Sequence, residues 1–516
     1  MLTPSISWDV GPYKDWFQGA ERDAIRIYSP GDSLLCTYMD TMMKCTITRR
    51  SFAGATLAAS AAGFANPAVE IQHRGVLIRE CGVPGETRAD DVTPAHPNGI
   101  PLSADRWLLV YATRGFRGVD DDLSIMYQLR RGSVDGAVIR EGALARTSND
   151  WDPYQEGKGY VKQHGHPVAF GVPKGATVDG KPLPHANHFV AKWRRVARVF
   201  DKSRNYVEHA TSNQAFRERT MGVQCVQFRL NDREDDIEIV QAPAALRQKG
   251  YESGPSFCSA KGIEWMNQSF VEAIPFNRDA TEWVDFNHFS NASLAAIKYR
   301  FNPARKLYEW VETGPFFAQP GKRLIEGGIA RVGRGWVLSA RVHDGVGVAW
   351  GRTEDPFHHV PAPVLTAAPR ANAPLTVYTC ADGVLRILTG DSSVSPHKAS
   401  RDPLYLWDVD PDNGFAVTNR RVVFDTVKAG LPIRKASSPK VDMAKILVAQ
   451  RGEQFIVHRV SIRSFNHPYV GAKNVLSDIP LANREEKEAC AIYYAKLNFG
   501  SAAPSFWTYS APAKTR

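Results

Sequence analysis

The stretch LTVYTCADGVLRILTG, residues 375–390, carries the pattern on which the fold prediction rests. Two short runs rich in β-branched and aromatic residues flank Asp382-Gly383, a dipeptide that favours the tight turn of a β-hairpin. The same arrangement recurs around Gly452, between the apolar runs 445–451 and 455–463. These two segments therefore predict antiparallel β-hairpins.

Similar strand-like runs fill the chain after Ala65. Examples are RWLLVYATR (106–114), LSIMYQLRR (123–131), GVQCVQFRL (222–230), AAIKYRF (295–301), GWVLSARV (335–342) and LYLWDV (404–409). No helical pattern and no Ser/Pro-rich linker interrupts them, so residues 66–516 are predicted to form one all-β domain. Sandwiches are usually smaller than this, and we expect a single β-propeller of seven blades, with six as the alternative.

Composition narrows the class of partner. The 516 residues include 43% hydrophobic residues, which is ample for a large core, and carry a net charge of +10. The basic residues are scattered rather than collected in a stripe or tail, which argues against nucleic acid. We expect an acidic polysaccharide or oligosaccharide as the partner of a monomeric protein with no membrane span.

The seven cysteines give no sign of a metal site or a disulfide framework. They lie far apart, at positions 36, 45, 81, 225, 258, 380 and 490, with no CxxC pair and no Cys/His ligand spacing. We therefore predict neither a cofactor nor a catalytic metal, and leave a structural Ca²⁺ open.

The amino-terminal region resembles a twin-arginine export signal. Thr48-Arg49-Arg50-Ser51-Phe52 precedes the apolar run AGATLAASAAGFA, which is too short to span a bilayer. Because such signals lie close to a true start and Met42 and Met43 come just before this one, we expect residues 1–41 to be an overlong start or disordered. Residues 42–65 would be the signal, and the mature protein would be periplasmic or secreted.

Four histidines in residues 160–200 are the most conspicuous candidates for chemistry: His164, His166, His185 and His188. They stand among basic residues, of which Lys162 is a candidate for substrate binding. Imidazoles beside cations can transfer protons on an anionic substrate. The alternative is a polar loop whose histidines bond backbone carbonyl groups, and sequence alone does not choose between the two.

Other candidates lie in connections between predicted strands. Arg114 and Arg117 stand beside glycines that permit close approach of an anionic ligand, although they could instead pair with the acidic residues 120–122. Tyr251 follows Arg247, and nearby cations could lower its pKa, although a plain turn tyrosine fits the sequence better. The chain contains no GxSxG elbow, phosphate-binding glycine loop or HExxH motif, and no carboxyl pair stands out, so imidazole chemistry is favoured.

At these histidines the chain resembles a known group of propeller enzymes. The segments HPNG (96–99), HGHPVAFGVPKGA and PHANHFVAKWR (within 164–194), and IKYRFNPARKLYEWVETGP (297–315) are similar to sialidase-like ulvan lyases and rhamnosyl-glucuronate hydrolases. The likeness covers most of residues 75–470. The Phe/Tyr-Arg-Ile-Pro motif of true sialidases is absent.

This resemblance implies an enzyme that acts on rhamnose linked to glucuronate. In the lyase relatives two histidines about twenty residues apart act with a tyrosine and an arginine; here these would be His166 with His188, or His164 with His185, together with Tyr251 and Arg247. In the hydrolase relatives one early histidine is catalytic, and His96 matches it. We therefore expect a polysaccharide lyase, with a glycoside hydrolase and a non-catalytic glycan-binding propeller as alternatives.

Overall fold

A computed structural model describes the protein at residues 27–29, 32–34, 69–79, 92–115, 122–146, 152–155, 157–201, 206–209, 222–250, 273–289, 293–343, 347–371, 373–395, 401–433, 437–464 and 484–509. The chain divides into two compact units, 1–65 and 66–516. In the first unit, β1 (Ile27–Ser29) and β2 (Asp32–Leu34) form a short hairpin. The predicted export signal, residues 42–65, lies outside the described residues, as does most of the segment 1–41.

The second unit is built from antiparallel sheets of consecutive strands. The first sheet holds β4 (Val92–Ser103), β5 (Arg106–Gly115), β6 (Asp122–Arg131) and β7 (Val138–Ala145). The second holds β9 (Lys158–Val172), β12 (His188–Asp201), β14 (Gly222–Leu230) and β15 (Ile237–Ala245), with the short β8 (Asp152–Gln155) and β13 (Tyr206–His209) alongside. The third holds β16 (Ile274–Pro275), β17 (Glu282–Phe289), β18 (Ser293–Asn302) and β19 (Leu307–Thr313).

Three more sheets follow the same plan. The fourth holds β20 (Leu324–Val332), β21 (Gly335–Val342), β22 (Val348–Thr353) and β23 (Val364–Thr366). The fifth holds β24 (Thr376–Thr379), β25 (Leu385–Gly390), β26 (Leu404–Asp410) and β27 (Ala416–Phe424). The sixth holds β28 (Ser437–Ile446), β29 (Gln454–Ser464), β30 (Ala491–Asn498) and the amino-terminal strand β3 (Glu70–Ile78), with the short helix α1 (Arg484–Ala489) before β30.

These sheets contact one another in a closed circle. β4 packs on β9, β12 on β19, β17 on β20, β20 on β24, β24 on β28 and β28 on β4. Most of these contacts join the first strands of neighbouring sheets, so the first strands lie around a common axis, as in the blades of a propeller. Six such sheets are found among the described residues, against the seven that we favoured from the sequence.

Both ends of the second unit help to close the circle. The pairing of β3 with β30 makes the last blade from the two ends of this unit. Beyond β30, β31 (Thr508–Tyr509) pairs with β10 (Ala176–Val178), which also pairs with β11 (Lys181–Pro182). The Tyr509 hydroxyl donates to Gln450 Oε1 at 2.6 Å, and Gln450 Nε2 donates to the Ser103 carbonyl at 2.9 Å. The carboxy-terminal segment thus links blades six, one and two at the end where first and second strands connect.

The core consists of apolar side chains packed between adjacent blades. Trp107, Trp193, Trp310 and Trp350 are among its largest fully buried members. No helix among the described residues is long and apolar enough to cross a membrane.

Candidate functional site

Four first strands carry the same irregularity at the axis. In β4, Ala95 pairs with Ala112 and Asn98 with Val110, so two residues stand opposite one. The same two-against-one bulge interrupts β9, β20 and β28. The first bulged residue in each case has a positive φ: His96 (51°), His166 (55°), Glu326 (52°) and Met443 (54°). Such a backbone is costly for a residue other than glycine, and its repetition around the axis makes this centre a candidate site.

His96 and His166 meet at this centre. Their rings stack with centroids 3.9 Å apart and planes at 22°, and both side chains are buried. The His166 backbone N–H donates to Nδ1 of His96 at 3.2 Å. Because Nδ1 accepts a hydrogen bond, a neutral His96 carries its ring proton on Nε2.

The local sequence explains how two blades build the same feature. Each of these histidines precedes a proline, Pro97 or Pro167, which lacks a backbone donor and so can occupy the unpaired position of a bulge. The next contact also crosses between the blades, since the Ala169 N–H donates to Asn98 Oδ1 at 3.3 Å. The bulges of blades one and two are therefore held against each other by side-chain and backbone bonds.

His164 precedes His166 by two residues on β9 and lies near two cations. Trp193 Nε1 donates to its Nδ1 at 3.0 Å. Burial, followed by the charges of Arg195 and Lys162, lowers the pKa of His164 to about 4. Burial also lowers the pKa of the Arg195 guanidinium, and the nearby Arg247 lowers it further. The predicted residues Lys162 and Arg247 are thus grouped with Arg195 near the histidines.

His185 and His188 lie elsewhere. The Nε2 atom of His185 is 2.7 Å from the Asp279 carbonyl oxygen, and His188 Nδ1 is 3.1 Å from that of Ala186. Burial lowers the pKa of both rings. Both histidines fit the alternative that the sequence left open, in which the rings bond backbone carbonyl groups of a polar loop.

The register of β9 and β12 shows why the predicted histidine couples do not form. His188 pairs with Val172, whereas His164 pairs with Arg195. His166 is therefore six positions from the partner of His188, roughly 20 Å along the strand. His166 with His188, and His164 with His185, are not brought together. In each couple the first histidine lies well inside β9, whereas the second lies at or before the start of β12. The hairpin therefore does not place the two side by side.

Three predicted residues cannot be placed. The backbone of Arg114 belongs to β5, but its side chain lies outside the described residues, and so do Arg117 and Tyr251 entirely. In the described part of the chain, no group of three or more His, Cys, Asp or Glu side chains could hold a metal ion.

A second set of charges surrounds the same axis and was not predicted. Arg194, Arg341 and Arg459 occupy matching positions on second strands, each opposite the residue before a bulge. Arg341 pairs with Glu326 at 2.8 Å. Burial alone would raise the pKa of Asp442, but Arg459 and Arg401 outweigh it and hold the pKa well below its usual range.

His288, at the end of β17, faces several of these cations. Burial, followed by the charges of Arg194, Arg323 and Arg341, lowers its pKa to about 4. These residues are spread over about 150 positions of sequence, in runs that carry no recognisable motif. Only the closed circle of blades brings them together.

Three histidines whose pKa values are lowered in the fold should make the protein sensitive to acid. The pKa values of His164 and His288 are lowered to about 4, and that of His458 to about 3. An unfolded histidine takes up a proton near pH 6.5, whereas these remain neutral in the fold. Each should therefore reduce the free energy of unfolding by about 1.4 kcal/mol per pH unit as the pH falls from 6.5 towards 4. Urea unfolding at several pH values measures this slope.

His458 offers the matched variant for this prediction. It is fully buried against Phe424, and neither ring nitrogen has a hydrogen-bond partner among the described residues. His458→Phe should make the slope shallower by one proton without loss of stability at neutral pH. An unfolding free energy that is unchanged between pH 6.5 and 4 would contradict this account.

The fold and site together define a β-propeller with an imidazole pair and a cationic lining at its axis. No known protein family matches the chain, and no curated protein matches it. Among solved structures it is similar to a Dyadobacter fermentans protein of unknown function, at 9% identity over 84% of this chain and 99% of that chain, with a TM-score of 0.48.

Two further structures are sugar-cleaving enzymes by name. The Hadza microbial sialidase is 10% identical over 78% of this chain and 65% of its own, with a TM-score of 0.47. The Podospora anserina α-L-arabinofuranosidase is 11% identical over 64% of this chain and 96% of its own, with a TM-score of 0.32. At these values the likenesses assign neither a substrate nor a reaction to this chain.

Proposed function

We propose that this protein is an exported carbohydrate-active enzyme that cleaves a uronate-containing glycan, of the rhamnose–glucuronate type, by β-elimination. The observation that carries the proposal is the stacked pair of His96 and His166, held on left-handed bulges at the propeller axis. The resemblance of HPNG and HGHPV to the lyase and hydrolase group supports the same two residues. The cationic lining suits an acidic substrate.

The reaction needs three functions from the protein. The carboxylate of the uronate must be neutralised so that the adjacent C5–H becomes acidic, and Lys162, Arg195 and Arg247 supply positive charge for this. A base must take the C5 proton, whose electron pair then forms the C4–C5 double bond as the C4–O bond breaks. An acid must give a proton to the departing oxygen.

We base the division of these roles within the pair on the tautomer of His96. With Nδ1 occupied by the His166 N–H, His96 can offer only its Nε2–H, as a hydrogen-bond donor to the substrate. His166 is then the proton carrier: its neutral ring takes the C5 proton and, as imidazolium, returns it to the leaving oxygen. Proton and electron count balance without a metal.

Hydrolysis is the second candidate, because His96, which matches the early catalytic histidine of the hydrolase relatives, belongs to the stacked pair. In that reaction water adds across the glycosidic bond and rhamnose is released without a double bond. A propeller that binds acidic glycan without cleaving it is the third.

Product analysis separates the three proposals. The full chain is incubated with rhamnose/glucuronate polysaccharides while ultraviolet absorbance reports unsaturated uronate and a sugar assay reports free rhamnose. Absorbance that rises with wild type and not with His166→Ala supports elimination, and rhamnose without absorbance supports hydrolysis. Glycan binding without any product would support a propeller that only binds acidic glycan, and it would overturn both enzymatic proposals.

A further inference from the structure

Asn98 is a buried amide of which only one polar atom is bonded. It pairs with Val110, and Val110 and Ala169 belong to the apolar packing between blades one and two. The side chain of Asn98 is fully buried there. Its Oδ1 atom accepts the Ala169 N–H at 3.3 Å, whereas Nδ2 has no hydrogen-bond partner among the described residues. Because a half-satisfied buried amide costs free energy, the stability of the fold gives no reason for an amide here.

The bulge itself does not require an amide either. Asn98 is the first paired residue after the bulge of β4. The same position in β9, β20 and β28 is held by residues without a carboxamide: Val168, Gly328 and Lys445. Each of these strands forms the same bulge nevertheless. What distinguishes blades one and two is the contact between His96 and His166.

Asn98 contributes one of two bonds that join β4 to β9 around this contact. The His166 N–H donates to His96 Nδ1 at 3.2 Å, and three residues further along β9 the Ala169 N–H donates to Asn98. One bond alone would leave β9 free to pivot about it. Two bonds fix both the position and the direction of β9 against β4, and with them the stacking of the two rings at 3.9 Å.

We propose that Asn98 is a positioning residue for the histidine pair: its Oδ1 atom holds β9 at Ala169, and this fixes His166 against His96 in the geometry for proton transfer. The inference rests on the proposed function, since it gives Asn98 a part in the step that His166 carries out. Asn98 is fully buried and acts through β9 rather than on the substrate. A displacement of about 1 Å in a reacting group can lower a rate by roughly 10²-fold, so this contact affects the rate more than substrate binding.

Two variants separate the acceptor atom from the shape of the side chain. Asn98→Leu keeps the shape and loses the acceptor, so kcat should fall by roughly 10²-fold while KM changes little. Asn98→Asp keeps an Oδ1 acceptor and should retain most of kcat when each variant is measured at its own pH optimum. The melting temperatures should follow the opposite order, because leucine suits the apolar surroundings and a buried carboxylate does not. If activity followed stability instead, with Asn98→Asp the less active variant, the role of Asn98 would be structural and the proposal would fail.

Gln227 provides the matched control. It is also a buried amide that bonds to backbone across two blades: Nε2 donates to the Tyr308 carbonyl, and Oε1 accepts the Tyr308 N–H, each at 2.8 Å. These bonds join blades two and three, away from the stacked histidines. Gln227→Leu should lower the melting temperature and leave kcat near that of wild type. A loss of kcat as large as that of Asn98→Leu would overturn the proposal, since any lost bond between blades would then have the same effect.

Hydrogen exchange of the full chain tests the proposal without any glycan. In Asn98→Leu the backbone amides of His166 and Ala169 should both exchange roughly tenfold faster or more, and in Asn98→Asp they should exchange as in wild type. Unchanged exchange at His166 in Asn98→Leu would overturn the positioning role even where the glycan is cleaved. Faster exchange at both amides, with no cleavage of any glycan by wild type, would support the placement of the pair by Asn98 and overturn the enzymatic proposal instead.

Discussion

Replacement of His166 by alanine should lower the rate of glycan cleavage by roughly 10²–10⁴-fold, the usual contribution of a positioned proton carrier. The ring stacks on that of His96 with centroids 3.9 Å apart, on a bulge whose backbone has a positive φ. Because binding of the acidic groups depends on the surrounding cations, KM should change much less than kcat. Initial rates over a range of glycan concentrations measure both.

His188→Ala is the matched control for this experiment. His188 belongs to the same pair of strands and is half-buried, but its ring is bonded to carbonyl groups at the other end. Its variant should retain near wild-type kcat. If His188→Ala abolished cleavage and His166→Ala did not, the axial site would be wrong and the opposite end of the blade would have to hold the chemistry.

The strands could be predicted from the sequence because the residue patterns that define a strand or a turn are local. The run GVQCVQFRL coincides with β14, and the Asp382-Gly383 turn lies between β24 and β25 as predicted. Alternation of apolar and polar residues and the conformational demands of a turn act within a few positions. No long-range information is needed to recognise them.

The sequence predicted only part of the site, because the geometry of the site depends on strand bulges and on the packing between blades. A residue before proline ordinarily prefers an extended backbone, so nothing local predicts positive φ at His96 and His166. The repeated His-Pro pair was the available signal. Glu326-Gly327 and Met443-Ala444 occupy the same bulge with no residue in common, which shows that the register of the blade, and not the residue type, creates it.

The largest effect on stability should come from an ion pair between blades two and three. Lys192 of β12 and Asp285 of β17 form a salt bridge in which both side chains are fully buried. Lys192 Nζ also donates to Asn287 Oδ1 at 3.2 Å, and the Tyr299 hydroxyl donates to Asp285 Oδ2 at 3.2 Å. Burial lowers the pKa of Lys192 and raises that of Asp285, while each charge opposes the shift of the other.

Lys192→Met should therefore reduce the free energy of unfolding by about 3–5 kcal/mol, since it leaves a carboxylate buried without its cation. The double variant Lys192→Met/Asp285→Leu should recover most of this loss, because it removes both charges and replaces them with apolar groups of similar size. Urea unfolding of the single and double variants gives the coupling energy between the two sites.

An exposed pair on the same sheet as Lys192 provides the comparison. Arg229 and Glu238 join β14 to β15 at 2.6 Å with about half of each side chain exposed, and Arg229→Gln should cost less than about 1 kcal/mol. The difference between the two pairs reports the effect of burial together with that of the hydrogen bonds that Asn287 and Tyr299 add to the buried pair. A loss below about 1 kcal/mol for Lys192→Met, or a double variant no more stable than the single one, would show that blades two and three do not depend on this charge pair.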